Sequence, residues 1–275
     1  MPPPSSVRSE DRTGLREHFR ALHSDGLFLV PNAWDAGSAR LIASLGAVAL
    51  ATTSSGLAAA LGRTDQSVTR DELLTHVEAL VAAVSVPITV DSERCFGNHA
   101  AGVVETVELL AEAGAAGCSI EDYDPQRDAI DPLDISVERV AAAAAAARKH
   151  GVVLTARAEN HLHGIDDLDD TIARLCAYRD AGAEVVYAPG LADQADIARV
   201  VERVGVPVNV LALRQGPTLD ALAAIGVRRI STGGALARAA YGALVTAAQE
   251  LQTAGTSTYL DEAIPGDELD AALGN

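Results

Sequence analysis

Val86-Pro87-Ile88-Thr89-Val90-Asp91-Ser92-Glu93 is a short, apolar, β-branched run that stops at two acids one residue apart. Such a run reads as a strand buried on both faces, the kind found in parallel sheets covered by helices. In an extended chain residues i and i+2 project to one side, so Asp91 and Glu93 are expected together at the strand's C-terminal edge. Adjacent carboxylates repel unless a cation lies between them, and a hard divalent ion suits oxygen ligands. For one such pair alone, a solvated loop that happens to contain acids is the competing explanation. The same event recurs along the chain, which weighs against it.

Towards the N-terminus, Leu27 to Val30 runs into Asn32 and Trp34, and Ala47 to Ala51 runs into residues 52–56. Towards the C-terminus, Gly117 to Ile120 ends at Glu121-Asp122, Val152 to Ala156 at Arg157-Ala158-Glu159, and Glu184 to Ala188 at Pro189-Gly190. Val206 to Val210 contains Asn209, and Arg228 to Ser231 leads into Thr232-Gly233-Gly234. Helical segments fall between them, at about 38–45, 70–84, 101–113, 137–150, 167–180, 193–204 and 219–225, several closed by glycine. About eight strand-then-helix units predict an α/β protein, a (β/α)8 barrel of the TIM type. The C-terminal rim of such a barrel is where chemistry is done. Here it collects Asn32, residues 53–55, Asp91, Glu93, Glu121, Asp122, Arg157, Glu159, Asn209 and Ser231, and that placement points to an enzyme.

A length of 275 residues suits one barrel, divided here into a disordered tail (1–12), the barrel (13–255) and a C-terminal extension (256–275). Aromatic residues are 3% of a chain that is 48% hydrophobic, and small aliphatic side chains suit helices packed on a parallel sheet. A net charge of -17 argues against nucleic acid or an anionic membrane as partner, because no basic face is available to neutralise phosphates. The N-terminus lacks the apolar core of a secretory signal, and no apolar run reaches the roughly 20 residues of a membrane span. Cys95, Cys118 and Cys176 have no paired spacing and no Cys-x-x-Cys, so a reducing cytoplasm is expected. The apolar segment from Ala235 to Thr253 has no strand left to pair with, which predicts packing on another subunit.

Asp91, Glu93 and Glu121 come from neighbouring strands and are expected to converge. Mg²⁺, with Mn²⁺ as the alternative, takes one or two carboxylates together with waters and substrate oxygens. Arg157, expected opposite, has a planar fork that grips a carboxylate or stabilises an oxyanion; its competing role is to balance the acids in a buried network. Ser55-Gly56-Leu57 follows a strand, where glycine lets backbone N–H groups approach an anion. Asp65 lies in a long polar insertion, 61–67, and is a candidate for a closing, water-excluding group, against a plain turn role. His161 and His163 are weighed as proton carriers against ordinary surface histidines.

Taken in order, Pro31-Asn32-Ala33-Trp34-Asp35, Thr53-Ser54-Ser55-Gly56-Leu57, Gly62-Arg63-Thr64-Asp65, Asp91-Ser92-Glu93, Ile120-Glu121-Asp122, Ala156-Arg157, Pro207-Val208-Asn209-Val210 and Arg229-Ile230-Ser231 resemble the isocitrate lyase / phosphoenolpyruvate mutase superfamily. The likeness is strongest to its small bacterial branch, the carboxyvinyl-carboxyphosphonate phosphorylmutase or oxaloacetate decarboxylase-like members. The resemblance implies a barrel that swaps its last helix between subunits, in a homotetramer built as a dimer of dimers. It implies Mg²⁺ held through Asp91, Glu93 and Glu121. Catalytic roles are implied for Arg157, Asp65 and Glu121, and substrate contacts for Trp34, Ser54, Ser55, Gly56, Leu57, Asp91, Arg157 and Asn209. Asp65 matches the gating-loop aspartate of the phosphonate-handling members.

Three departures bear on the reaction. Where isocitrate and methylisocitrate lyases resembling this chain carry Lys-Arg-Cys-Gly-His, it has Tyr123-Asp124-Pro125-Gln126-Arg127-Asp128, which argues against those two activities. The usual Gly-Tyr-Gly after the metal acids is replaced by Cys95-Phe96-Gly97 preceded by Arg94, and Arg-Thr-Asp by Arg157-Ala158-Glu159. What the resemblance implies is a Mg²⁺-dependent lyase or decarboxylase that breaks a C–C bond next to an α-oxo or α-hydroxy carboxylate through an enolate. Its substrate would be a small anionic 2-oxo acid. P–C chemistry on phosphonopyruvate or phosphoenolpyruvate, and a barrel that binds an oxo acid without turnover, are the alternatives.

Overall fold

Pro31 breaks the first strand of the sheet into β1 (Phe28–Val30) and β2 (Asn32–Ala33), and that break closes the barrel. Pro31 cannot donate to the ladder, but its carbonyl accepts from the Ala51 amide. In the computed structural model, which describes residues 9–274, β1 pairs with the last strand, β11, in the register Phe28↔Arg229 to Val30↔Ser231. The other half, β2, pairs with β3 (Leu50–Thr52). Between them run β4 (Ile88–Val90), β5 (Gly117–Glu121), β8 (Val153–Arg157), β9 (Val185–Tyr187), β10 (Val208–Leu211) and β11 (Arg229–Ser231), all parallel. This is the expected TIM-type barrel. Strands β6 (Tyr123–Asp124) and β7 (Ala129–Ile130) form a separate antiparallel hairpin on the rim.

The outer layer comprises α2 (Ala36–Ser44), α4 (Arg70–Ala83), α5 (Ala100–Ala113), α6 (Leu133–His150), α7 (Leu168–Asp180), α8 (Gln194–Val204) and α9 (Leu219–Ala224). Local chemistry sets their ends. Asp35 and Thr69 form capping boxes on α2 and α4, while Gly114, Gly151 and Gly205 take left-handed conformations at the C-termini of α5, α6 and α8. The main core lies between helices and sheet. A smaller one, with Phe19, Phe28, Val30, Val153 and Val185, fills the barrel floor beneath helix α1 (Ser9–Ala21).

The expected tail, 1–12, falls outside the described residues for its first eight positions, and α1 begins within the remainder. Residues 54–56, read in the sequence as the polar end of a strand, open helix α3 (Ser54–Ala60), which Thr53 caps. The last two helices are α10 (Ala235–Thr253) and α11 (Gly266–Leu273). In the C-terminal extension α11 lies on α2, and Arg40 donates to the Leu273 carbonyl. Among the described residues no helix is long and apolar enough to cross a membrane.

Candidate active site

The mouth of the barrel opens into a cavity of about 360 Å³ at the C-terminal ends of the strands. Of the expected site residues, Ser54, Ser55, Asp65, Asp91, Arg157 and Asn209 line it. At its centre is Arg157, the last residue of β8. Its Nη1 donates to Asp91 Oδ1 at 2.7 Å, its Nε to Glu159 Oε1 at 2.7 Å, and its Nη2 lies 3.3 Å from Glu121 Oε2. Its guanidinium also sits over the Tyr187 ring, 5.4 Å from the centroid, a cation–π contact. Desolvation opposes this buried charge, but three carboxylates outweigh it and raise the Arg157 pKa well above its ordinary value.

The acids depart from the sequence expectation in one respect. After Asp91 the chain leaves the extended conformation: Glu93, Cys95 and Phe96 all have positive φ, at 48°, 57° and 53°. Strand alternation therefore does not place Glu93 beside Asp91. Asp91 is held by the Ser54 amide on Oδ2 at 3.0 Å, and its own N–H donates to Thr52 Oγ1. Glu121 faces Arg157 and accepts from Gln66 Nε2 at 2.8 Å. Burial pushes its carboxyl well above the usual range, with Arg157 opposing. Glu93 is buried, its Oε1 has no hydrogen-bond partner, and burial together with the charges of Asp91 and Asp65 pushes its pKa up to about 8.

A closed cage of three protein ligands is absent among the described residues. Mg²⁺ does not need one, since it keeps several waters and binds through one or two carboxylates. Asp91, open to the cavity, with an orphaned Glu93 oxygen nearby, is a donor set that fits such an ion, the other acids acting through water. The charges of Asp91 and Asp65 raise the Glu93 carboxyl, and Arg157 offsets this only in part, a condition that a divalent ion relieves.

Remaining positions separate into lining and support. Trp34 lies outside the cavity lining and packs against Gly56, where a Cβ would stand 2.9 Å from that of Trp34 and 2.5 Å from Thr53 Cγ2. Only glycine fits that approach. The amides of Gly56 and Leu57 are directed to Thr53, at 3.3 Å to its Oγ1 and 3.0 Å to its carbonyl, so these two residues build the first turn of α3. Asp65, at the rim with open surface, carries a carboxyl raised by the protein packed around it and by the charge of Asp91, against donation from the Gln66 amide. His161 and His163 stand off the cavity, His163 stacked on Tyr123 with centroids 3.7 Å apart.

Sequence reasoning missed Tyr187, Gln66 and Arg238, the last lining the cavity from the first turn of α10. Tyr187 looked like strand filler, and its role follows from the register that sets it opposite Arg157. Gln66 lies in the 61–67 insertion that the sequence marked as a lid, but its bond to Glu121 was not legible there. The Cys95 and Cys118 thiols are buried and raised by burial, Cys95 to about 11, and neither lines the cavity.

Residues 19–252 match the family model described as phosphoenolpyruvate phosphomutase. A crystal structure from Burkholderia cenocepacia J2315, provisionally named a lyase/mutase, superposes with a TM-score of 0.93 at 51% identity, covering 97% of this chain and 98% of that one. The oxaloacetate decarboxylase of Chromohalobacter salexigens is 28% identical over 85% of this chain and 82% of its own length. A phosphonopyruvate hydrolase in complex with oxalate and Mg²⁺ superposes with a TM-score of 0.82 at 25% identity, covering 94% of each chain.

Proposed function

The chain belongs to the phosphoenolpyruvate phosphomutase family, within the isocitrate lyase / phosphoenolpyruvate mutase superfamily of enzymes, and from that premise we propose that it is a Mg²⁺-dependent lyase or decarboxylase. It would cleave the C–C bond next to the α-oxo or α-hydroxy carbon of a small carboxylate, through an enolate. The observation that carries this reading is Arg157, which lines the cavity beside Asp91 and is held from behind by the buried Glu121 and Glu159. Magnesium, held by Asp91 with Glu93 and Glu121 acting through water, would stabilise the charge that develops on the enolate oxygen.

The chain's own residues have separate tasks. Arg157 grips the substrate carboxylate, its fork fixed by the acids so that little reorganisation accompanies binding. The lid carries Asp65 to the cavity rim and is tied down by the Gln66–Glu121 hydrogen bond, which excludes water from the enolate. With its carboxyl raised, Asp65 is the nearest candidate to return a proton to carbon. No cysteine among the described residues lines the cavity, so a thiol acid is not available. Leu162, Pro189, Leu211 and Leu213 give the outer cavity an apolar wall, suited to a substituent on the carbon that leaves or stays.

P–C chemistry is the second reading, favoured by Asp65 at the rim. A single screen separates the two: oxaloacetate, substituted 2-oxo diacids and phosphonopyruvate, with Mg²⁺, followed by ¹³C and ³¹P NMR. Decarboxylation or C–C cleavage that disappears in Arg157→Ala supports the proposal; phosphate or a rearranged phosphonate as product would replace it. We place the enzyme in a homotetramer through α10 and in the cytoplasm, where three free cysteines are stable.

A further inference from the structure

Below the carboxylates lies a cation that has no acid of its own. Arg229, the first residue of β11, is 4% exposed and lines the cavity. The three acceptors its nitrogens reach are all neutral. Nε donates to Asn209 Oδ1 at 2.9 Å, Nη2 to Thr155 Oγ1 at 2.9 Å, and Nη1 lies 3.3 Å from His23 Nε2. His23 Nδ1 is 2.8 Å from the Phe19 carbonyl, which can only accept, so the ring proton sits on Nδ1 and Nε2 is free to accept from Arg229. Burial and the neighbouring guanidinium lower the His23 pKa to about 3, which keeps the ring neutral. Arg229 itself is lowered by burial to about 10 and stays charged at neutral pH. Among the described residues no carboxylate forms an ion pair with it, whereas Arg157 has three.

The direction of the hydrogen bonds matters as much as the charge. Because Arg229 occupies Asn209 Oδ1, the amide group of Asn209 must point the other way, and Nδ2 donates to Ser231 Oγ at 2.8 Å. Ser231 in turn bonds the Tyr187 hydroxyl, beneath the ring that carries Arg157. Each link accepts from below and is left with a donor above. A chain of this polarity favours an anion at its upper end.

We propose that Arg229 is a fixed cationic floor of the cavity, that its missing counter-charge is supplied by the bound anion, and that through Asn209 and Ser231 it leaves the Tyr187 hydroxyl, which lines the cavity, as a donor towards that anion. The ligand class is a small carboxylate or phosphate-like oxyanion. This rests on the reading of the cavity as an oxo-acid site for the identity of the anion, but the floor itself is testable without it.

The test compares wild type, Asn209→Asp, Arg229→Gln and Arg229→Lys by thermal denaturation, alone and with oxalate plus Mg²⁺ or with inorganic phosphate, and by calorimetric titration of both anions. Asn209→Asp gives Arg229 a carboxylate at its Nε, so the ligand-free midpoint should rise and the anion-induced shift should shrink. Arg229→Gln should weaken anion binding at least about tenfold, the size of one charge-assisted contact, with Arg229→Lys recovering part of it. A ligand-free midpoint for Asn209→Asp equal to or below wild type overturns the proposal, even where Arg229→Gln fails to fold. Wild-type affinity in Arg229→Gln overturns it too, as does a wild type that binds neither anion. Binding of phosphate through Arg229 without binding of oxalate would support the floor and sink the oxo-acid reading.

Discussion

At the scale of single residues, the site is a balance of buried charges, and its predictions concern what happens when one is removed. Arg157→Ala would leave Asp91, Glu121 and Glu159 without their common partner in a largely dry environment. Breaking a buried ion pair from one side costs about 3–5 kcal/mol, so urea denaturation at neutral pH should show a loss of that order in the metal-free protein. Added Mg²⁺ should restore part of it. His23 makes a second prediction, with the opposite dependence on proton concentration from the raised acids. Its folded pKa of about 3 lies below the ordinary value of 6.5, so between those values the unfolded chain binds the extra proton. The contribution of neutral His23 is complete above pH 6.5 and is lost as pH falls towards 3, at up to about 1.4 kcal/mol per unit. Glu93, raised to about 8, acts in the other sense, losing stability as pH rises from 4.5. Denaturation at pH 7 and pH 5 isolates His23 by difference: the slope should be shallower in His23→Gln, and an unchanged slope refutes the assignment.

At the scale of elements, two departures from the resembling superfamily compensate each other across space. Arg94, in the loop after β4, donates from Nε and Nη2 to Asp131 Oδ2, at 3.1 and 2.6 Å, in the segment after the β6–β7 hairpin. Arg127 adds contacts to Asp124 and Asp131, and Arg139 holds the Arg94 and Gly97 carbonyls. The hairpin that stands where the resembling lyases carry a cysteine-bearing loop is therefore fastened to the strained 93–97 turn. Positive φ at three non-glycine residues costs of order 1–3 kcal/mol each, and strain of this kind persists where surrounding contacts over-determine it. Arg94→Ala should release the hairpin: hydrogen exchange at 123–131 should accelerate and KM should rise, with exchange in β4 and β5 unchanged. Equal protection in the variant would show that the ion pairs are ornament to a hairpin held by other means. The lid is fastened similarly, by Arg63 to Glu72 at its base and Gln66 to Glu121 at its tip.

For the whole molecule, α10 is the element without a home. Only Ala237 of its residues is buried, and Leu244, Val245 and Leu251 are 62%, 52% and 47% exposed. A 19-residue helix that touches its own barrel through its first turn and leaves its apolar side chains beyond that exposed predicts a partner copy of this chain. Light scattering should give a homo-oligomer for the wild type, and Leu244→Asp with Val245→Asp should shift it towards monomer. A wild type that is monomeric at micromolar concentration would refute the assembly while leaving the barrel intact.

The sequence determined the barrel and most of its rim. Strand ends such as Val90-Asp91 and Ala156-Arg157 are legible because a strand buried on both faces must be apolar along its length, so a polar residue at its end marks the rim. Helix boundaries were legible to within a few residues wherever a cap or a glycine stood, as at Thr69 and Gly114. Tertiary structure alone decided three things. It turned Glu93 out of strand alternation, because the turn to Gly97 forces backbone angles that no side-chain pattern announces. It brought Arg94 to Asp131 and Gln66 to Glu121, pairs separated by 37 and 55 positions in the chain. It also set Arg229 among neutral partners, since whether a buried cation meets an acid depends on strand register and barrel closure. Local periodicity reports which face a residue takes, and only closure of the sheet reports what it meets there.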